Sequence, residues 1–384
     1  MRATLVPLLA GLLAAFVAFA SSFSVILQGF AGVGATPAEA ASSLMALSVA
    51  MGVCCLLVSL RTRMPVAIAW STPGAALLAG AGVPTGGYPV AVGAFLTAGA
   101  LLLLAGTLRP LADLLNRIPA SLANAMLAGI LLPVCLAPVR AVAEWPAAGL
   151  LVAAVWFTVG LRRRLLAVPA AALATIGVIL ATRWTPGALG DAPILPPLLW
   201  VWPEFTLAGT VGIALPLFLV SLASQAIPGL AILRVNGFDA PVGSIFRWSG
   251  AFSVLAAPFG AHAVSLAAMT AAITAGPEGG PDPARRWWGG VSSGVAYVLV
   301  GLGAGLLTAF AALAPVLIQA MAGFALLGAL TASLRAMADA ERERGAATLC
   351  FLVTASGTAF AGIGAPFWGL AVGALALAAE RWRR

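Results

Sequence analysis

The chain contains one histidine, His262, and it lies in an apolar stretch, "PFGAHAVSLAAMT" (258–270). An imidazole changes charge near neutral pH, so a histidine in such surroundings is a candidate proton carrier. The bland alternative is a structural histidine bonded to a backbone carbonyl. A second polar group is Gln225, in "FLVSLASQAIPGLAILRVNGF", preceded by Ser221 and Ser224 and followed by Pro228. An amide in an apolar span is costly to leave unpaired, which makes Gln225 a candidate for lining a polar site. Ser21, Ser22, Ser24 and Gln28 lie in a similar N-terminal stretch, "FVAFASSFSVILQGF", although serine also serves as packing glue between helices.

These groups can hydrogen-bond a ligand and take up a proton. Bond cleavage asks for more: a metal-ligand cluster, a paired carboxylate or a nucleophile with a base. None is legible, and no Asp or Glu lies deep within an apolar run. Cys54, Cys55, Cys135 and Cys350 fall inside such runs without metal-ligand spacing and read as small packing residues. An enzyme is therefore not expected, nor any cofactor or metal.

The elements that must position these groups follow from composition. Of 384 residues, 62% are hydrophobic and 8% charged, with a mean hydropathy of +1.06. Soluble domains carry about a quarter charged residues, so this is a polytopic membrane protein in a lipid bilayer. Apolar runs able to cross a hydrocarbon core of roughly 30 Å recur along the chain. The start, "MRATLVPLLAGLLAAFVAFASS", imitates a signal peptide, but its apolar run continues too far and reads as the first span.

Breaking the chain at Gly/Pro-rich and charged punctuation gives about fourteen spans: 8–30, 39–60, 65–82, 88–108, 118–138, 146–161, 165–182, 207–233, 240–257, 260–276, 287–308, 311–331, 346–361 and 364–380. A sequence pI of about 10.8 is in the range of nucleic-acid-binding proteins, but the arginines are scattered through short loops, so no nucleic-acid partner is expected. With both termini cytoplasmic, the inside collects Arg61, Arg63, Arg109, Arg117, Arg162 to Arg164, Arg234, Arg285, Arg286, Arg335, Arg342, Arg344, Arg381, Arg383 and Arg384. The outside keeps Arg140 and Arg183, a positive-inside asymmetry that fits an even span count. Arg247, within the ninth span, fits neither list. It marks a later start of that span, snorkels to the cytoplasmic surface or faces a polar cavity.

The Pro- and Trp-rich segment 182–205 separates two halves of seven spans as an external linker. An odd number of spans per half turns the halves in opposite directions, as in an inverted repeat. Spans three and ten occupy matching places and both look broken. "PVAIAWSTPGAALLAGAG" begins extended, with Ser71 or Thr72 as a natural N-cap before Pro73; "FGAHAVSLAAMTAAITAG" does the same, with Ser265 placed to cap "LAAMTAAIT". Extended backbone at membrane depth survives only where protein or a wet cavity satisfies it, so the breaks predict a buried cavity. Two half-helices aim their N-termini at it from opposite sides, together worth up to about 2 kcal/mol to a partly buried anion.

The blocks "PVAIAWSTPGAALL", "ASQAIPGLAILRVNGF" and "APFGAHAVSLAAMTAAI" together resemble the benzoate/proton symporter family (BenE), and the resemblance runs through essentially the whole chain. It implies an all-α fold of fourteen spans in 7+7 inverted repeats, shared with nucleobase symporters and sulfate transporters. Its core domain would comprise 1–108 and 207–308, its gate domain 109–183 and 309–384, with 184–206 as the external linker. The resemblance implies substrate near Ser71, Thr72, Pro73 and Gly74, near Gln225, and near His262, Ala263, Val264 and Ser265. It also implies benzoate, or a close aromatic carboxylate, taken up with a proton into a bacterium across its inner membrane.

The chain departs from the nucleobase carriers of this fold, which look to carboxylates in spans eight and ten where this chain has Gln225 and His262. His262 is the expected coupling residue, unless the substrate arrives as its own acid. An aromatic acid also needs a slot for its ring, for which Phe19, Phe23, Trp70, Phe218 and Phe259 lie on suitable spans. Ser22, Phe23 and Phe259 complete the expected substrate-binding set. Other readings are a carrier of another anion or of a nucleobase, and a passive channel. Relatives of the fold dimerise through the gate domain, but segments such as "LIQAMAGFALLGALTASL" do not decide whether this chain forms a homodimer.

Overall fold

The computed structural model describes residues 2–108, 119–185, 189–190, 192–358, 360 and 363–382. Arg109, Arg117, Arg383 and Arg384, used above to read orientation, lie outside the described residues, as does the side chain of Ser21. The chain is mostly helical. Its first half runs through α1 (Arg2–Gly32), α2 (Pro37–Thr62), β1 (Ile68–Trp70), α3 (Thr72–Ala81), α4 (Tyr88–Ala105), α5 (Ala120–Glu144), α6 (Pro146–Arg162) and α7 (Arg164–Thr182). After the linker come α8 (Leu207–Val235), α9 (Val242–Ala256), β2 (Val264–Leu266), α10 (Ala268–Ala275), α11 (Trp287–Leu302), α12 (Ala304–Ala312), α13 (Pro315–Asp339), α14 (Arg344–Ala355) and α15 (Ala365–Trp382).

Each predicted span contains helix. By length and apolarity, 5 helices among the described residues qualify as membrane-crossing, or up to 7 if two bent pairs each count as one span. One bent pair corrects a predicted boundary. The stretch 287–308 is not a single helix, because α11 and α12 meet at 62° across Gly303. The "GLGAG" sequence there has little side chain to hold a straight helix, and Gly305 lies so close to the Pro193 carbonyl of the linker that a Cβ would collide with it.

The two strands pair antiparallel at the centre of the molecule, and all six of their residues are buried. The register matches Ile68 with Leu266, Ala69 with Ser265 and Trp70 with Val264. Beyond the strands, the Ser71 amide donates to the Ala263 carbonyl (3.4 Å) and the Ala267 amide to the Ala67 carbonyl (2.8 Å). The breaks in spans three and ten thus satisfy each other's backbone, so neither leaves a row of open donors at membrane depth.

Around this pair the helices pack closely. In α2 and α11, Gly52 and Gly294 each sit against the other's carbonyl at a distance that leaves no room for a side chain. The linker lies across the end of this bundle: the Leu199 amide donates to Ser42 Oγ (2.9 Å), the Val201 amide to the Pro258 carbonyl (2.8 Å) and the Glu204 amide to the Pro89 carbonyl (3.0 Å). Arg247 is explained by α4. Its guanidinium donates to the Gly106 carbonyl (3.2 Å) just past that helix's C-terminus, where a cation meets the negative end of the helix dipole.

Glu343 ties three helices together from the short turn before α14. Ser121 Oγ donates to one carboxylate oxygen (2.5 Å), and the Arg381 guanidinium lies 3.1 Å from the other. The Ser121 hydrogen bond foremost, with help from Arg381, holds this carboxyl below its ordinary value of 4.5. A carboxyl depressed in the folded state stabilises the fold above that value and ceases to do so as pH falls through the depressed one. Glu343→Gln is therefore expected to lower the melting temperature by about 1–2 °C at pH 7, a difference that closes on acidification below 4.5. Paired melting curves across pH check this.

Candidate functional site

The first half-helix begins as its residues predict. Ser71 is the N-cap of α3, its hydroxyl accepting from the Gly74 amide (3.1 Å), and Pro73 sits in the first turn, where its missing N–H costs nothing. The second begins differently, and the expected Ser265 cap is corrected. Pairing with Ala69 holds Ser265 within β2, and its buried hydroxyl has no hydrogen-bond partner among the described residues. The helix starts three residues later, at Ala268, where N-cap Ala267 has no side chain to offer. Gln225 supplies the acceptor instead: its Oε1 lies 3.3 Å from the Ala268 amide.

Gln225 can reach that point because α8 is not a uniform helix. Wide π-helical turns cover Thr210–Ala214 and Leu222–Ala226, the second containing Gln225. Pro216 and Pro228 lie just beyond them, and a proline cannot donate the hydrogen bond four residues back. The helix absorbs each gap in a wider turn, a feature common at functional sites.

The two half-helix ends and Gln225 line one cavity of about 390 Å³. Ser22, Thr72, Pro73, Ala268 and Met269 form its wall from α1, α3 and α10. Asn124 of α5 and Ser333 of α13 close the other side. The volume falls in the range of small-molecule sites. Asn124 was not singled out from the sequence, although it is the one amide in the stretch 118–138 and the burial cost that pointed to Gln225 applies to it equally. Its Nδ2 donates to the Ala120 carbonyl (2.8 Å), which leaves the carbonyl end of the amide outside that bond. Ser224, also on the cavity wall, returns its hydroxyl to the Val220 carbonyl (2.6 Å). A second cavity of about 920 Å³ adjoins this one, sharing Met269, Ala325, Gly328 and Ala332 with it.

Other expected site residues stand further back. Ser22 Oγ accepts from the Trp70 indole (2.8 Å) and donates to the Ala18 carbonyl (2.5 Å), so it holds Trp70 in place as well as touching the cavity. Phe23 stacks on Phe19 (6.3 Å), which lies 4.8 Å from Trp70, and these rings form the layer behind Ser22. Phe259 is directed elsewhere: it packs against Trp200 of the linker (5.4 Å) and lines a separate apolar cavity of about 690 Å³. Ala263 and Val264 contribute backbone to the strand region.

His262 is fully buried, outside the residues that line the 390 Å³ cavity. Its ring lies 5.8 Å from Phe30 and 6.4 Å from Phe95, and neither ring nitrogen has a hydrogen-bond partner among the described residues. Nearby, Tyr88 joins α4 to the turn before β2. Its hydroxyl reaches the Gly260 carbonyl (3.3 Å) and Ser43 Oγ (2.8 Å), which in turn donates to the Glu39 carbonyl (2.6 Å) near the start of α2. Gly260 has φ +84°, and a Cβ there would strike both hydroxyls, so the turn is reserved for glycine. Among the described residues no group of three or more His, Cys, Asp or Glu side chains could hold a metal ion.

The fold has a solved counterpart. Across 99% of this chain and 97% of the other, the structure superposes with a TM-score of 0.62, at 15% identity, on the transmembrane domain of a cyanobacterial bicarbonate transporter, BicA. Sequence comparison is more specific. The chain is 40% identical over 371 residues to the inner membrane protein YdcO of Escherichia coli, covering 95% of this chain and 93% of that one. It is 31% identical over 373 residues to the benzoate membrane transport protein of Acinetobacter baylyi, covering 96% and 93%. These relatives are membrane proteins and transporters rather than enzymes. Residues 2–379 match the family model described as benzoate membrane transport protein, and the chain belongs to that family, BenE.

Proposed function

We propose that this membrane transporter takes up benzoate, or a closely similar aromatic carboxylate, together with a proton. The observation that carries the reading is the cavity in which two half-helix N-termini meet Gln225 and Asn124. Backbone donors and positive helix ends from α3 and α10 favour an anion, and the two amides supply orientation without a competing negative charge. The name of the Acinetobacter relative supports benzoate as the anion. In this reading the fourteen spans form 7+7 inverted repeats in the bacterial inner membrane, with both termini cytoplasmic. Residues 1–108 and 207–308 act as the core, 109–183 and 309–384 as the gate, and 184–206 as the external linker. Substrate sits between core and gate, and their relative movement exposes it to alternate sides. The adjoining 920 Å³ cavity, with Arg164 and Arg335 on its wall, then represents the path toward the cytoplasm.

His262 is the proposed proton carrier. The hydroxyls of Ser43 and Tyr88, which lead from the start of α2 to Gly260, support this by bringing polar groups within two residues of it. The enclosure of its ring by Phe30 and Phe95 favours a second reading, in which the substrate enters as its carboxylic acid and carries the proton itself.

Uptake of labelled benzoate into proteoliposomes, with and without an inward proton gradient, tests the function. Accumulation above the external concentration is expected only with the gradient. Flux that ignores the gradient would mark a passive channel. Uptake of a nucleobase or inorganic anion in place of benzoate would overturn the substrate assignment.

A further inference from the structure

The 920 Å³ cavity beside the central one carries its own combination of chemistry. Its wall includes Arg164 from α7, Arg335 from α13, and the aromatic rings of Trp156, Phe157 and Phe324, with no acidic side chain among its lining residues. Trp156 and Phe324 stack face to face, centroids 4.9 Å apart and planes within 22°, so a two-ring aromatic stack bridges α6 and α13 at the cavity wall. Arg164 is the first residue of α7, whose N-terminus has no side-chain cap, and the positive end of that helix adds to its charge. Arg335 has an ion pair with Asp339 at 3.6 Å, but both side chains are strongly exposed, 83% and 70%. An exposed pair of this kind holds its partner weakly and gives way to a competing anion.

An aromatic face beside two guanidinium groups matches a flat ring bearing a carboxylate. The geometry points to a second binding site for an aromatic carboxylate in this vestibule, its ring packed on the Trp156–Phe324 stack and its carboxylate between Arg164 and Arg335. The inference rests on the aromatic-acid reading of the central cavity. Ligand in the vestibule occupies the route between the central site and the end of the molecule where Arg162 to Arg164 and Arg335 lie. Met269, Ala325, Gly328 and Ala332 border both cavities, which places the two sites side by side. The site is weaker than the central one and depends on salt, since its arginines are solvent-exposed.

Equilibrium binding of labelled benzoate to the purified full-length protein, at low salt and at about 0.5 M salt, tests this. Wild type is expected to bind two molecules per chain, with high salt weakening only the looser component. In Arg164→Gln/Arg335→Gln the looser component weakens about fivefold or more at low salt, while the tighter one stays within about twofold. Arg335→Gln alone, a single exposed change, gives part of that loss and serves if the double variant does not fold. Gln225→Ala is expected to weaken the tighter component instead. A looser component unchanged by the arginine substitutions, or a wild type that binds one benzoate per chain, overturns the vestibule site. A tighter component that ignores Gln225→Ala, while the looser one follows the arginines, counts against the central reading and leaves the vestibule site standing.

Discussion

Replacing Gln225 with alanine is expected to raise the benzoate concentration for half-maximal uptake about tenfold or more, without unfolding the protein. The substitution removes the acceptor that lies 3.3 Å from the Ala268 amide and takes an amide out of the cavity wall. In the proposed reading that amide donates to the substrate's carboxylate; a hydrogen bond to a charged group is worth about 1.5–3 kcal/mol, and 1.4 kcal/mol corresponds to a factor of ten in affinity. Gln225→Glu separates the two roles. The carboxylate keeps an acceptor for Ala268 but brings a negative charge to a site suited to an anion. Uptake is then expected to fall at least as far at neutral pH and to recover in part on acidification, as the introduced carboxyl takes up a proton. Uptake kinetics for both variants, with melting curves to establish folding, check the prediction. If Gln225→Glu transports like wild type at neutral pH, Gln225 serves only to cap α10 and the anion lies elsewhere.

The second large effect concerns the proton. His262→Phe is expected to retain benzoate exchange across proteoliposome membranes and to lose the accumulation driven by an inward proton gradient. Phenylalanine is the informative replacement because it refills the space between Phe30 and Phe95 without an ionisable group. Alanine would leave a cavity in a fully buried position, at a cost of about 2–5 kcal/mol by analogy with large core residues, and lost transport could then reflect lost packing. Exchange and gradient-driven uptake are measured on the same vesicles, so a folding defect, which lowers both, is told apart from a coupling defect, which lowers one. Undiminished accumulation in His262→Phe would assign the proton to the substrate's own carboxyl.

Much of the site was legible because its signals are local. Ser71 followed by Pro73 is an N-terminal helix signature within three residues, and α3 begins there. The amide of Gln225 stands out against an apolar span by its burial cost alone, and it lines the cavity. The same burial cost applies to Asn124, which lines the cavity from α5, but Asn124 lies outside the repeated broken spans and so carries no second signal. Ser265 marks where local reading fails. Its type and spacing suit an N-cap, but the pairing of Ala69 with Ser265 across almost two hundred residues holds it in a strand. Once the strand is satisfied, the helix begins later and its cap comes from a side chain forty-three residues away.

The sequence by itself determined that the chain is a membrane protein, that the third and tenth apolar segments are broken, and which buried polar groups demand an explanation. Hydrophobic content, capping residues and prolines act on their own neighbours, so their consequences follow without knowledge of the rest of the fold. Only the tertiary structure decided that the two breaks pair with each other, that α5 and α13 close the cavity, and that His262 lies between Phe30 and Phe95 rather than on the cavity wall. Those outcomes depend on contacts between distant segments, whose register is set by how helices and strands pack together and is not encoded in any one stretch of residues.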